Sequence, residues 1–209
     1  MLAVPAHAAD SLETVYGMPV YWPQSVLTWA VVGEGIDPQL VQFAAATWQA
    51  ARCAQLRLRP ARAGEVADIV VRLAWGKWAH AEDEAAWTAH KADQDTGEAR
   101  QANIVLNPRW WRASQVDQRA LLVHEFGHAL GLAHTIDRGT VMFGGLGQRT
   151  TLSDDDRAGV CAVFAKARQP AAPRPLQRAW LAALAPLAWL PLRAGRPRPA
   201  SPGSGARRR

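Results

Sequence analysis

Three histidines and a glutamate recur at fixed spacing in the run His124-Glu125-Phe126-Gly127-His128-Ala129-Leu130-Gly131-Leu132-Ala133-His134. The pattern of this run is H-E-x-x-H-x-x-G-x-x-H. His124 and His128 are four positions apart, so a helix would place both imidazoles on one face, where they can bind one ion. A core helix can bury one histidine without a metal, but burying three beside a carboxylate would be costly. Because a chance match to all five fixed positions is expected in very roughly one chain in ten thousand, the run indicates a metal site.

The other residues of the run are typical of a catalytic site. Glu125 is adjacent to one ligand and can reach a water at the metal. Gly131 can adopt the positive φ that lets the chain leave the helix, and the turn would bring back His134 as a third ligand. Three protein ligands leave the fourth position of a tetrahedral zinc open, which distinguishes catalytic from structural zinc. The sequence therefore predicts one catalytic Zn²⁺ held by His124, His128 and His134.

Beyond this run, the chain resembles the metzincin zinc proteases and, among them, the matrixins. Met142 follows the third histidine after eight residues, and Asp137 follows it after three, as in matrixins. Residues 152–160 are similar to the matrixin segment that opens the last helix, with Ser153 as the expected N-cap. The resemblance implies that Met142 lies beneath the metal and that Asp156 hydrogen-bonds the methionine turn. Simple helix capping is an alternative explanation of the aspartates, and both can hold together.

The resemblance covers roughly residues 20–166 and implies an α+β, zincin-like fold. This fold has a twisted mixed sheet of five strands, two long helices, a zinc cleft and a small C-terminal subdomain with a third helix. The implied activity is that of a zinc-dependent endopeptidase, in which a zinc-activated water attacks the peptide bond and Glu125 acts as general base and then acid. An extended substrate would pair with the edge strand around Trp87 and Ala89. Residues 143–146 lack the proline that is usual in matrixins, so the main specificity pocket cannot be transferred from the family.

Local patterns agree with this architecture. Asp37 and Pro38 have the residue types expected at the N-cap and first position of a helix. Ser114 resembles the start of a capping box, from which a helix would run to about Leu130. Stretches rich in β-branched and aromatic residues predict five strands, over residues 25–32, 56–59, 67–73, 86–90 and 102–106.

Charge is distributed unevenly along the chain. Residues 168–209 contain nine arginines and no acidic residue, whereas residues 1–167 contain 15 Lys and Arg against 18 Asp and Glu, a net charge of −3. A mildly acidic domain lacks the basic surface that nucleic-acid binding requires. We therefore expect no nucleic-acid partner. The resemblance implies a peptide or protein substrate, and we expect a monomer.

The composition divides the chain into three parts: an N-terminal segment (residues 1–19), a matrixin-like catalytic domain (residues 20–167) and a tail rich in Pro, Ala and Arg (residues 168–209). We expect the tail to be disordered. The segment Ala6-His7-Ala8 is typical of the end of a secretory signal, which predicts a secreted or extracytoplasmic protein with bacterial-type export and a truncated start; a simple Ala-rich terminus is the alternative. Residues 179–192 are too few to span a membrane; they would suit contact with a membrane surface or a partner, but a low-information extension is the slightly favoured alternative.

Two further functions compete with proteolysis. One is a non-catalytic binding protein of the metzincin fold, and the other is a membrane-docked or partner-docked module that acts through its basic tail. Glu125 favours catalysis, because a binding protein has no chemical need for that carboxylate. Cys53 and Cys161 either pair in an oxidising compartment or stay as buried thiols.

Additional metal sites have weaker support. His80 and His90 do not match the spacing of a second zinc site, so two surface histidines are the better interpretation. A calcium ion is conceivable at the acidic turn that contains Asp93, Asp95 and Glu98, but no clear calcium motif is present and a solvated turn is favoured.

Overall fold

The structure is a computed structural model that describes residues 13–15, 17–53, 56–145 and 149–166. The proposed tail, residues 168–209, and the segment Ala6-His7-Ala8 lie outside the described residues, and the three-part division of the chain stays a prediction. Within the described residues, no helix combines the length and the apolar character needed to cross a membrane.

Three strands precede the first helix, and four further strands precede the remaining described helices. They are β1 (Thr14–Val15), β2 (Met18–Pro19), β3 (Val26–Val31), α1 (Pro38–Gln49), β4 (Arg57–Pro60), β5 (Ile69–Leu73), β6 (Ala86–Ala92), β7 (Ala99–Leu106), α2 (Pro108–Trp111), α3 (Gln118–Leu130) and α4 (Asp154–Lys166). The five predicted strands correspond to β3 to β7. The short β1–β2 ribbon and α2 were not predicted.

Strands β3 to β7 form one sheet in the order β4-β3-β5-β7-β6. Neighbouring strands are parallel except for β6, which runs antiparallel to β7 and forms one edge of the sheet. The sheet is therefore mixed, as predicted. In β6 the side chains alternate between exposed and partly buried, as expected for an edge strand with one solvated face.

Helix α1 begins where the sequence predicts. The side chain of Asp37 accepts a hydrogen bond from the backbone N–H of Gln39 at 2.9 Å, and Pro38 occupies the first turn. Its buried face, spaced for a helix, consists of Val41, Ala44, Ala45 and Trp48. This face packs against α3, which carries the first two histidines of the run.

The N-cap predicted for α3 was wrong by three residues. The helix begins at Gln118, and its N-cap is Asp117 rather than Ser114. The Asp117 carboxylate accepts hydrogen bonds from the backbone N–H groups of Arg119 and Ala120, at 2.9 and 3.2 Å. Aspartate caps as well as serine does, and its charge also complements the positive end of the helix dipole, so the later residue is the N-cap.

Two buried tryptophans attach their indoles to α3. Nε1 of Trp48 donates to the carbonyl of Val123 at 2.7 Å, and Nε1 of Trp22 donates to the carbonyl of Ala129 at 3.0 Å. Both indoles are fully buried, so each N–H needs such a partner. These bonds position α3 between α1 and the segment that follows the β1–β2 ribbon.

A disulfide joins Cys53, just after α1, to Cys161 in α4, with an S–S distance of 2.03 Å. Of the two alternatives for the cysteines, the structure therefore has the disulfide. The bond links residues 108 positions apart and attaches the last described helix to the first long one.

Candidate metal centre

The three histidines of the run converge on one point. His124 and His128 project from the same face of α3, and the helix ends at Gly131, whose φ of 108° is in the left-handed region. A Cβ at Gly131 would also lie 3.2 Å from the carbonyl oxygen of Val20. The turn returns the chain so that Nε2 of His124 lies 3.1 Å from Nε2 of both His128 and His134.

The other ring nitrogen, Nδ1, of both His124 and His128 has a backbone hydrogen-bond partner. Nδ1 of His124 lies 2.8 Å from the carbonyl of Val141, and Nδ1 of His128 lies 2.7 Å from the carbonyl of Leu132. A carbonyl can only accept, so each Nδ1 carries the proton and each Nε2 presents a lone pair to the common point. Lone pairs this close repel one another unless a cation lies between them.

This donor set fits zinc. Zinc–imidazole bonds of 2.0–2.1 Å in a tetrahedron place the ligand nitrogens about 3.3 Å apart, close to the observed separation. Among the described residues, His124, His128 and His134 form the group of metal-binding side chains whose ligand atoms lie within 4.8 Å of one another. His134 is the exposed member of the group, so the common point is accessible from solvent.

Metal binding needs neutral imidazoles, and the surroundings of two of the three rings favour the neutral form. In the metal-free protein, burial lowers the pKa of His124 to about 4, and burial together with the neighbouring His128 lowers the pKa of His134. Burial also acts to lower the pKa of His128, but its contact with Glu13 and the charge of Glu125 outweigh this effect and raise the pKa. A carboxylate oxygen of Glu13 lies 3.7 Å from Nδ1 of His128.

Met142 lies buried against the helix that carries the ligands and is only 1% exposed. Its sulfur packs over Gly127, which is between the first two histidines of the run. A Cβ at Gly127 would collide with Sδ of Met142 and would lie 2.8 Å from the ring of Trp48. Glycine is therefore required at position 127 for the methionine to approach the helix this closely, a constraint that only the tertiary structure reveals.

Asp156 fastens the turn that contains the methionine. It is 3% exposed, and its carboxylate accepts hydrogen bonds from the backbone N–H groups of Val141 at 2.9 Å and Met142 at 3.3 Å. It also forms a reciprocal capping box with Ser153, whose N–H donates to the carboxylate while its Oγ accepts from the N–H of Asp156. Asp156 thus both caps the last described helix and holds the methionine turn, so the two explanations from the sequence apply together.

Asp137 shapes the loop between the third histidine and this turn. Its carboxylate accepts a hydrogen bond from the N–H of Gly139 at 2.7 Å, and its carbonyl accepts from Oγ1 of Thr140 at 2.8 Å. These local contacts place Asp137 in the loop, away from the group of ligand nitrogens.

The Glu125 side chain is buried beside the imidazoles. Its Oε2 accepts a hydrogen bond from Oγ1 of Thr88 in β6 at 2.7 Å. Burial raises the pKa of this carboxyl, whereas the charge of His128 and the hydrogen bond from Thr88 partly oppose the rise. The nearby carboxylate of Glu84 raises the pKa of Glu125 further. Such a carboxyl can accept and release a proton near neutral pH more readily than an exposed one.

A match to the family model described as Matrixin spans residues 21–165, more than half of the chain. The chain belongs to the matrixin family. It is also similar to the interstitial collagenase of Bos taurus, with 37% identity over 68 residues. This match covers 31% of the chain and 14% of the collagenase, so the chain matches only a small part of that relative's length. The predicted family and the predicted α+β fold are confirmed, and the family together with the three imidazoles supports a metallopeptidase.

Two residues predicted to bind substrate lie on the outer face of β6 in the matrixin domain. Trp87 is 43% exposed, and Ala89 is also exposed. The Trp87 ring stacks on His80, with ring centroids 4.4 Å apart. Alternation along the strand sends Thr88 to the other face, toward Glu125, a role that the sequence analysis missed although the alternation signals it.

The residues that the sequence offered for additional metal sites form other contacts in the structure. His80 stacks on Trp87, and Nε2 of His90 lies 3.1 Å from the carbonyl of Ala129. In the acidic turn, the Asp93 carboxylate accepts hydrogen bonds from the backbone N–H groups of Asp95 and Thr96. These hydrogen bonds stabilise the turn.

Proposed function

We propose that this matrixin is a zinc-dependent endopeptidase. The observation that carries the proposal is the convergence of three imidazole lone pairs next to one buried carboxylate. In this proposal His124, His128 and His134 hold the ion, and zinc supplies Lewis acidity that lowers the pKa of a water and polarises the scissile carbonyl. Gly131 and Met142 shape the site without binding the ion.

Glu125 is the proposed proton carrier. Its carboxylate takes a proton from the attacking water and then transfers this proton to the leaving amine. Burial raises its affinity for the proton, while Thr88 orients Oε2 and favours the ionised form that the first transfer needs. Asp156 acts at a distance from the substrate, by fixing the turn beneath the ligands.

Strand β6 is the proposed docking site for an extended substrate, with Trp87 and Ala89 beside the peptide. Its position at the edge of the sheet supports this assignment, since a peptide can add there as a further strand. We also propose that the protein acts outside the cytoplasm, because the Cys53–Cys161 disulfide is of the kind that persists in oxidising compartments.

The test is hydrolysis of casein by the full-length chain, with zinc measured by mass spectrometry on the same samples. We expect about one zinc per chain, cleavage that is lost on adding a chelator and restored by zinc, and internal rather than terminal cuts. Glu125→Gln should keep its zinc and lose activity by roughly 10²–10⁴-fold, because the amide cannot accept the proton.

Each alternative gives a different result. Undiminished cleavage by Glu125→Gln would remove the proposed role of that carboxylate. Folded protein that binds no zinc would overturn the metal site. A zinc-loaded chain that binds unfolded proteins but cleaves no member of a peptide library would instead favour the non-catalytic binding protein.

A further inference from the structure

A cavity of about 680 Å³ lies beside the three imidazoles. His124, His134 and Glu125 form part of its wall, so a substrate bound across the metal would place a side chain in it. The remaining lining comes from the approach to β6, from the loop before α3 and from Gly144 and Gly145. The two glycines fall where the sequence departs from the usual matrixin pattern, so the character of this cavity has to be taken from its own residues.

Negative charge dominates this lining. Besides Glu125, the cavity is lined by Asp83, Glu84 and Asp117, and no Lys or Arg is among the described residues that line it. The nearby cation Arg109 pairs with Glu82 at 3.9 Å, but neither residue lines the cavity and both side chains are mostly solvent-exposed. The acidic groups of the cavity are thus not neutralised by these neighbours.

Glu84 is the informative member of the group. Its Oε2 atom is buried and has no hydrogen-bond partner. Both backbone polar groups of Glu84 are hydrogen-bonded. Its N–H donates to the carbonyl of Ala81 at 3.1 Å, and its carbonyl accepts from Nδ2 of Asn107 at 3.0 Å. A buried carboxylate oxygen without a donor leaves the negative charge of Glu84 uncompensated within the protein, so a cationic ligand in the cavity would be attracted to this carboxylate.

The other two carboxylates leave charge available to the same ligand. Asp117 uses Oδ1 for both of its capping hydrogen bonds, which leaves its second oxygen outside the cap. Asp83 is exposed and forms no hydrogen bond or ion pair within the described part of the chain. A cationic group entering the cavity would therefore meet three carboxylates.

The uncharged walls suit a long aliphatic side chain with a charged end. Val116, Leu121 and Ala85 provide apolar contacts, and Trp110 provides an aromatic ring. The methylene stems of Arg and Lys pack on such surfaces while their heads reach polar partners, and a guanidinium also stacks on indole. A leucine side chain would fill the apolar part but would leave the carboxylate of Glu84 without a counter-charge.

We propose that this cavity selects substrates with an arginine or lysine next to the scissile bond, and that Glu84 is the residue that determines this specificity. The proposal rests on the proposed peptidase function and names its substrate class. The cationic head pairs with the Glu84 carboxylate where it lines the cavity, with Asp83 and Asp117 adding attraction at longer range.

The test uses the full-length, zinc-loaded chain and quenched fluorescent peptides that differ in one residue, Arg, Lys, Leu or Glu, on either side of a single cleavable bond. Mass spectrometry of a digested peptide library first identifies the side that matters. We expect kcat/KM for the Arg and Lys peptides to exceed that for the Leu peptide by about 10–100-fold, the range for a hydrogen bond to a charged group. The Glu peptide should be the poorest substrate.

Glu84→Gln should lower the ratio of kcat/KM for the Arg peptide to that for the Leu peptide about tenfold or more; the ratio is the readout because any effect of Glu84 on Glu125 acts on both peptides. Asp83→Asn, at an exposed residue that cannot disturb the fold, should lower the same preference to a smaller extent. Asp155→Asn, an exposed aspartate outside the cavity, is the matched control and should change neither peptide. Cleavage with no Arg or Lys preference, or a preference that survives both cavity variants, would overturn the inference and leave the peptidase function standing.

A binding measurement separates the two proposals. Zinc-loaded Glu125→Gln is titrated calorimetrically with the Arg and Leu peptides, which it is expected not to cleave. Tighter binding of the Arg peptide supports the cavity assignment even if the native chain cleaves neither peptide, a result that would sink the peptidase proposal alone. Equal binding of both peptides counts against the cavity assignment.

Discussion

The carboxylate of Asp156 accepts a hydrogen bond from the backbone N–H of Met142, fourteen residues earlier in the chain. Its other oxygen accepts from Val141, the residue whose carbonyl receives the Nδ1 proton of His124. One buried side chain in the last helix is therefore two hydrogen bonds away from a proposed metal ligand. Groups that act on a metal ligand through hydrogen bonds orient that ligand and tune the affinity of the site for its metal.

Replacing Asp156 with Asn should weaken both the fold and the zinc site. An amide presents one oxygen where the carboxylate presents two, so at least one buried N–H of the turn loses its acceptor. We expect a loss of about 1–3 kcal/mol in the free energy of unfolding and about 10–100-fold weaker zinc binding. Urea unfolding and competition with a zinc chelator measure the two effects.

Asp155 provides the control for this variant, because it is exposed in the same helical turn. Asp155→Asn should leave zinc affinity unchanged and stability within about 0.5 kcal/mol. If both variants behave alike, the effect comes from charge at the start of the helix, and the proposed support of the turn is wrong.

Thr88→Val should move the acid limb of the pH–rate profile to higher pH. The hydrogen bond from Thr88 lowers the pKa of Glu125, so its removal raises that pKa. Catalysis needs the ionised carboxylate, and a smaller fraction of the enzyme would then be active at acidic pH. A lost bond of about 1.4 kcal/mol corresponds to one pH unit. kcat/KM measured across pH 5–8 tests the shift.

The conservative variant distinguishes the hydrogen bond from packing. Thr88→Ser keeps the donor and should retain the native acid limb, even if its overall rate falls. An acid limb that shifts equally in both variants would show that the methyl group, and not the hydroxyl, controls Glu125.

Replacing both Cys53 and Cys161 with Ser should lower the thermal midpoint substantially. A cross-link across a separation of 108 residues restricts the unfolded chain, and the loop-entropy model assigns about 4–5 kcal/mol to a loop of that size. Calorimetry with and without reductant measures the effect. Reductant should lower the midpoint of the native chain and leave the double variant unchanged; equal midpoints for both oxidised proteins would mean that the disulfide adds no net stability.

His90 should make stability fall at acidic pH. Burial lowers its pKa below the unfolded value of 6.5, so the unfolded state binds the proton more readily. Stability from the neutral ring is thus present above pH 6.5 and is lost as the pH falls below it. His90→Gln should reduce the slope of unfolding free energy between pH 6.5 and 5 by up to about 1.4 kcal/mol per pH unit. Urea unfolding at a series of pH values checks this, and an unchanged slope would assign the acid sensitivity to other groups.

The sequence predicted those features in which local chemistry and tertiary structure agree. The helical spacing of the histidines, the left-handed conformation of Gly131 and the start of α1 at Asp37 all follow from short-range requirements. The N-cap of α3 was misplaced because Ser114 and Asp117 are both good capping residues, and residue type alone does not decide between them. The β1–β2 ribbon is too short to have a detectable alternation.

Other contributions to the site depend on contacts between distant segments. Nothing around Glu13 signals that its carboxylate lies near His128, because the contact spans most of the domain. The burial of one oxygen of Glu84 is likewise a property of the folded protein, since the three consecutive acidic residues Glu82, Asp83 and Glu84 look like an ordinary solvated turn in sequence. Only the folded structure identifies such residues, because their role depends on burial rather than on residue type.

The attachment of the methionine turn to Asp156 has a consequence for how the protein matures. A nascent chain presents His124, His128 and His134 well before residue 156 has been synthesised. Until that last helix arrives, the turn beneath the ligands has no buried acceptor and Cys53 has no partner sulfur. The turn is therefore completed only after residue 156 has been added, and a shorter nascent chain carries a site that is still incomplete.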